Sequence, residues 1–192
     1  MKVPANLLMR TNGAGVLWLA QLFQAKKIAE IGIYRAHSII TVFKRYKQWT
    51  EGVEEYWAID PYTTDSFRKG CLRGGVLPKR IAESQPYRVY QQIKTMIEEY
   101  PELYSKVHLI KEYAHNVVGE FPDGYFDLVY IDGDHSYEGM MRDLPMWEPK
   151  TRILGGHDYS ITNDGVIKAV VERYGEDGHI VLPPCHWVKK WE

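Results

Sequence analysis

Phe126-Asp-Leu-Val-Tyr-Ile-Asp-Gly-Asp-His-Ser-Tyr137 is the stretch that decides the fold of this chain. Its apolar run, Leu128 to Ile131, has the length and branching of a buried parallel strand. The run ends abruptly in Asp132-Gly133-Asp134-His135. Parallel strands deliver functional groups at their carboxyl ends, where loops open into a crevice. Two carboxylates and an imidazole are costly to place there unless they meet a cation, a ligand or a proton-transfer task. The plainer alternative is that these residues only cap the following helix, since Asp and Ser are good caps.

Working outward, strands and helices alternate on both sides of this segment. Upstream, 14–25 reads as an amphipathic helix with Val16, Leu17, Leu19, Leu22 and Phe23 on its apolar side. A strand over 27–31 ends at Gly32, Ser38 is placed to cap a helix, and a strand over 56–59 ends in Asp60-Pro61. Pro86 is expected to start a helix with Tyr90, Ile93, Ile97 and Tyr100 on one face, followed by a strand over 107–110 and a short helix over 113–120. Downstream come a helical stripe (Tyr137, Met140, Met141, Leu144, Trp147), a strand over 152–154, a helix over 166–174 and a closing strand pair at 180–182 and 186–191. Such alternation specifies an α/β sheet with right-handed crossovers. The irregular stretch 61–85 is expected to be a lid or substrate loop. Its Arg68, Lys69, Arg73, Lys79 and Arg80 suit an anionic substrate, a solvated basic loop being the plainer reading.

At 192 residues, with 45% hydrophobic and 26% charged residues, the chain fits one globular domain, 1–192. A formal charge of −1 gives no electrostatic reason to expect nucleic acid. Cys71 and Cys185 alone make neither a disulfide framework nor a zinc cluster. Val16–Ala20 is too short for a signal peptide, and no apolar run approaches a membrane span, so the expectation is a cytoplasmic protein.

The first strand runs into Glu30-Ile-Gly32-Ile-Tyr34-Arg-Ala36-His-Ser38. Gly32 at a strand-to-helix turn lets a ligand approach the backbone, and the next helix offers free N–H groups. A dinucleotide fingerprint needs two further glycines, but Tyr34 and His37 stand in their places. That argues against NAD or FAD. S-adenosylmethionine, with a ribose and a carboxylate but no phosphates, suits the bulkier loop. Asp60, one β-α-β unit later, is placed to accept both ribose hydroxyls, or merely to cap a turn before Pro61.

Four motifs stand in one order: Ala58-Ile-Asp-Pro61, Ile131-Asp-Gly-Asp-His-Ser-Tyr-Glu138, Gly156-His-Asp-Tyr159 and Gly165-Val-Ile-Lys-Ala-Val170. Over about residues 27–175 the chain resembles the class I S-adenosylmethionine-dependent methyltransferases, and most closely the small-molecule O-methyltransferase branch with an I-D-G-x-H-x-Y-E signature. The resemblance implies a Rossmann-like, doubly wound, mostly parallel seven-stranded sheet with a C-terminal antiparallel strand pair. It implies that Glu30, Gly32, Ile33, Tyr34 and Ser38 line the methionine end of the cofactor, that Asp60 holds the ribose, and that Glu112 and Tyr113 fall near the adenine. Two departures stand out: Pro149-Lys-Thr-Arg152 replaces the usual Pro-Gly-Gly turn, and Ala36 replaces a common glycine.

Methyl transfer is an in-line displacement at carbon, so the protein must align the reactants and make the acceptor oxygen more nucleophilic. A divalent metal can do the second by lowering the hydroxyl's pKa, or a histidine can take the proton. Resemblance to metal-dependent catechol-type enzymes implies metal ligands at Asp132, which also borders the cofactor, and at Asp158. The usual Asn after the second Asp is Tyr159 here, and His157 is a softer substitute than Mg2+ prefers. His135 stands where those enzymes carry a catalytic lysine and is the expected general base. His157 could face the substrate, whereas His108 and His115 read as structural or surface residues. Expected partners are therefore a small-molecule or sugar acceptor and no nucleic acid or membrane. The N-terminal cap, 1–25, is free to cover the site or to pair with a second subunit. Two other functions compete: a methyltransferase-like protein that binds without turnover, and a nicotinamide oxidoreductase.

Overall fold

Strands β1 (Lys27–Ile31), β2 (Glu55–Ile59), β3 (Val107–Ile110), β4 (Phe126–Ile131), β5 (Thr151–Gly156), β6 (His179–Leu182) and β7 (His186–Lys189) form one sheet. Its spatial order is β3-β2-β1-β4-β5-β7-β6. The computed structural model describes residues 14–43, 50–63 and 79–190. The first five strands are parallel, and β7 runs antiparallel to both β5 and β6. This is the doubly wound, mostly parallel sheet with a C-terminal antiparallel pair that the alternation and the resemblance imply. The order reverses between β1 and β4, so their carboxyl ends open the crevice.

Period-two alternation assigns each strand's side chains to one of two cores. Ile28, Tyr56, Leu128 and Tyr130 pack with Val16, Leu17 and Leu19 of α1 (Ala14–Leu22) and with Ile93 of α2 (Lys79–Glu99). Ala29, Ile31, Val129 and Ile131 pack on the other face against α5 (Tyr137–Trp147) and α6 (Asp164–Tyr174), through Met140, Leu144, Trp147, Val166 and Val170. The short helices α3 (Pro101–Tyr104) and α4 (Ala114–Val117) complete the two layers.

Beyond shifts of a few residues at element ends, two features differ from the sequence reading. The helix expected to start at Pro86 begins at Lys79 and carries Pro86 inside it. Residues 79–85 of the expected 61–85 loop are therefore helical, while 64–78 lie outside the described residues, as do 1–13 of the expected cap. The segment opened by Ser38 is a π-helical turn over Ser38–Phe43. Among the described residues, no helix is long and apolar enough to cross a membrane.

Candidate active site

Gly32 adopts φ +89°, and a Cβ there would lie 2.3 Å from the Asp132 carbonyl oxygen. The absence of a side chain thus serves the close approach of the β1 and β4 ends before it serves any ligand. The loop beyond Gly32 is held by Asp60: its Oδ2 accepts the N–H groups of Ile33 (2.8 Å) and Tyr34 (3.1 Å), and Oδ1 accepts that of Tyr62 (2.6 Å). Burial pushes the Asp60 carboxyl up in spite of these three donors. Tyr34, Ala36, Tyr62 and Asp158 all adopt positive φ (48°, 53°, 48° and 60°), so left-handed backbone gathers in the loops after β1, β2 and β5. Such strain persists only where surrounding contacts hold it, and it concentrates at functional sites.

Glu30 and Ser38 are buried beneath this loop, 4% and 1% exposed. Ser38 Oγ donates to Glu30 Oε2 at 2.7 Å, and the Tyr56 hydroxyl donates to the same oxygen. Burial raises the Glu30 carboxyl to about 8. The two residues therefore support the loop from below and are spent on each other. At the end of β3, Glu112 accepts the Tyr113 N–H (2.7 Å) and the Asn116 amide (3.0 Å), which hold it below the usual carboxylate range. Tyr113 is exposed at this rim.

Across the crevice, β4 and β5 bring Asp132, His135, His157 and Asp158 together. His135 Nε2 lies 3.2 Å from Asp132 Oδ1 and 3.3 Å from Asp158 Oδ2. His157 Nδ1 lies 3.5 Å from Asp132 Oδ1 and 3.5 Å from Asp158 Oδ1. Burial would raise Asp132, but the two imidazoles outweigh it and hold the carboxyl low. Burial likewise opposes a charge on His157, yet its contacts with Asp132, Cys185 and Asp158 win and raise it to about 11. His186, buried beside His157, is pushed down to about 4, and its Nδ1 is hydrogen-bonded to the Tyr130 hydroxyl at 2.8 Å.

The four residues thus meet as the sequence places them, but they divide by exposure. His157 is buried, whereas His135 forms part of an open cleft of about 910 Å³ between 133–137 and 161–168. Gly165 lets the start of α6 pack tightly against 135–137 at the edge of that cleft, because a Cβ there would meet the His135 carbonyl at 2.7 Å. Asp134 caps the turn through Ser136 (3.1 Å to N, 2.8 Å to Oγ), and Ser136 Oγ accepts the Gly139 N–H, so the capping alternative holds for these two alone. Tyr137, half-buried against the core, also lines the cleft, while Met140, Leu144 and Trp147 are core.

Sequence reasoning did not single out Cys185, His186 or Tyr130. Cys185 Sγ sits 3.2 Å from His157 Nε2, brought there because β7 pairs antiparallel with β5, Gly156 facing Trp187. No local pattern announces a contact set by such a pairing. His108, stacked on Trp57 with ring centroids 4.4 Å apart, is structural as expected.

A family model described as a methyltransferase domain matches residues 12–159. The chain belongs to the methyltransferase-domain family. No curated protein matches it. Among solved structures, this methyltransferase is similar to PaMTH1 of Podospora anserina, solved with S-adenosylhomocysteine: TM-score 0.56, 16% identity, covering 100% of this chain and 83% of that one. It is also similar to an O-methyltransferase of Bacillus cereus in complex with S-adenosylhomocysteine (TM-score 0.53, 13% identity, 93% and 80% covered). A third is the O-methyltransferase TomG of Streptomyces achromogenes, involved in tomaymycin synthesis and solved with S-adenosylmethionine (TM-score 0.52, 13% identity, 94% and 79% covered). At these identities the likeness concerns the fold.

Proposed function

We propose that this methyltransferase moves a methyl group from S-adenosylmethionine to a hydroxyl of a small molecule or sugar, with His135 as the general base. One observation carries the assignment: His135 lines the open cleft while its Nε2 faces both Asp132 and Asp158. The similar structures solved with S-adenosylmethionine or S-adenosylhomocysteine support the choice of cofactor.

In this reading Gly32, Ile33 and Tyr34 form the loop against the methionine end, with Glu30 and Ser38 bracing it from beneath. Asp60 has lone pairs beyond those its three N–H donors use, and these take the ribose hydroxyls. Glu112 and Tyr113 form the rim beside the adenine. S-adenosylmethionine would supply an activated methyl carbon, and a divalent cation, were one bound, would be held by Asp132 and Asp158 and would acidify the acceptor hydroxyl. The two carboxylates fit such a cation, for Asp132 and Asp158 each offer an oxygen within 4.8 Å of the other and of a His135 ring nitrogen. As the acceptor oxygen bonds to the methyl carbon and the carbon–sulfur bond breaks, the acceptor's proton passes to His135 Nε2. Asp132 and Asp158, about one hydrogen-bond length away, stabilise the imidazolium that forms. Hydrophobic Ile161 and Tyr137 beside polar Thr162 and Lys168 give the cleft a mixed wall suited to a hydroxylated ring.

The test is a thermal-shift titration with S-adenosylhomocysteine beside NAD, with and without chelator. A ligand at a hundredfold its dissociation constant adds about 2.7 kcal/mol, or about 5–10 °C in a domain of this size. A shift with S-adenosylhomocysteine and none with NAD is expected; the reverse would overturn the proposal.

A further inference from the structure

We infer that Asn163 selects the acceptor of this methyltransferase, by pairing its side-chain amide with a substituent that presents a hydrogen-bond donor and an acceptor side by side, as a carboxamide does. The inference rests on the reading above that the cleft beside His135 receives the acceptor. It adds what that acceptor carries besides its reacting hydroxyl.

Asn163 stands at the N-cap of α6, where an asparagine oxygen ordinarily accepts an N–H of the helix's first turn. Its side chain makes no such bond. Ser136, at the N-cap of α5 on the other wall of the cleft, does accept the Gly139 N–H. Asn163 is 3% exposed, and among the described residues neither its Oδ1 nor its Nδ2 has a hydrogen-bond partner. Burying both ends of an amide unpaired is unfavourable, and a leucine of similar shape would avoid the penalty. A local rule broken in the wall of a functional cleft is accounted for by a partner that arrives with the substrate.

The neighbouring polar groups are already engaged. The Ser160 and Thr162 hydroxyls are bonded to each other at 2.9 Å, and the Asn163 N–H donates to the Ser160 carbonyl at 2.8 Å. Lys168 Nζ lies 4.2 Å from the Tyr137 ring centroid, and the Tyr137 hydroxyl donates to Glu172. Asp134 serves Ser136, and Asp164 meets the positive end of the α6 dipole. That leaves the Asn163 amide, on the 161–168 wall, to read a neutral substituent. An asparagine amide reads a donor–acceptor edge through two parallel bonds, as it does with adenine. Neither of its polar atoms is open to water, so the amide meets the substituent by rotating into the cleft, and it has no hydrogen bond to break in doing so. Ile161, 92% exposed on the same wall, offers an apolar contact to the ring that bears the substituent.

The experiment titrates the full chain, saturated with S-adenosylhomocysteine, with phenol and with the isomeric hydroxybenzamides by calorimetry. The isomer that spans His135 and Asn163 is expected to bind at least about tenfold more tightly than phenol, the worth of one bidentate pair. In Asn163→Leu that advantage should shrink below about twofold, and unfolding should come no earlier than in the parent, since both unpaired groups are gone. Isomers that bind no more tightly than phenol overturn the inference, as does an advantage that survives in the variant. A melting midpoint lowered by more than about 3 °C also overturns it, because the amide would then be bonded within the fold. Should the variant not fold, the comparison of phenol with the hydroxybenzamides on the parent chain decides. The thermal shift with S-adenosylhomocysteine alone judges the methyltransferase reading separately.

Discussion

The missing side chain of Gly32 is what lets β1 meet the Asp132 carbonyl: a Cβ would sit 2.3 Å from that oxygen. The loop after β1 and the carboxyl end of β4 are therefore one packed unit. Gly32→Ala adds a side chain at φ +89° against rigid backbone. The expected cost is about 2–4 kcal/mol, combining left-handed strain with backbone displacement, and S-adenosylhomocysteine binding should be lost as well. Urea unfolding and the thermal shift measure both; an unchanged midpoint would contradict the contact.

Asp60 holds the loop through Ile33 and Tyr34, and the proposed function gives its remaining lone pairs the ribose hydroxyls. Asp60→Asn leaves one acceptor oxygen where two are used. S-adenosylhomocysteine affinity is expected to fall at least about tenfold, at roughly 1.4 kcal/mol per factor of ten, with a smaller loss of stability. Calorimetric titration decides. Undiminished affinity would mean that Asp60 serves the loop alone.

Glu30 makes stability depend on pH. The unfolded carboxyl titrates near 4.5 and the folded one at about 8, raised by burial and by the charges of Asp132 and Asp60, against Tyr56 and Ser38. Between those values the folded chain binds more protons than the unfolded one. Stability should therefore fall as pH rises through this window, by up to about 1.4 kcal/mol per unit, and level off above about 8. Glu30→Gln keeps an acceptor for Ser38 and Tyr56 and should flatten the slope. Urea melts of both proteins across the window check this, and parallel slopes would rule out Glu30 as the source.

His135→Ala should lower turnover by about 10²–10⁴-fold, the usual contribution of a general base, while S-adenosylhomocysteine affinity stays within about threefold. Single-turnover assays with an acceptor found by screening give the rate. A rate within about twofold of the parent would remove His135 from the mechanism.

Most strands were legible because each is a short apolar run closed by Gly, Pro or Asp, and β1 and β3 coincide with their expected limits. The start of α2 was not. Proline at the first turn is a sound signal for a helix start, but seven residues precede Pro86 in this helix. In the site, Asp132, His135, His157 and Asp158 were readable because all four stand within a few residues of the ends of β4 and β5. Glu30 and Ser38 were named from their order along the motif, whereas their joining through one carboxylate oxygen, shared with Tyr56 from β2, was not legible locally.

By itself, the sequence determined the alternation of elements, the parallel sheet and the carboxylates at its crevice, since these follow from local pattern and chain order. Only the tertiary structure decided which histidine is buried and which lines the cleft. Strand register made that choice: pairing β7 against β5 sets Cys185 behind His157, whereas His135, on the loop into α5, stays at the open edge.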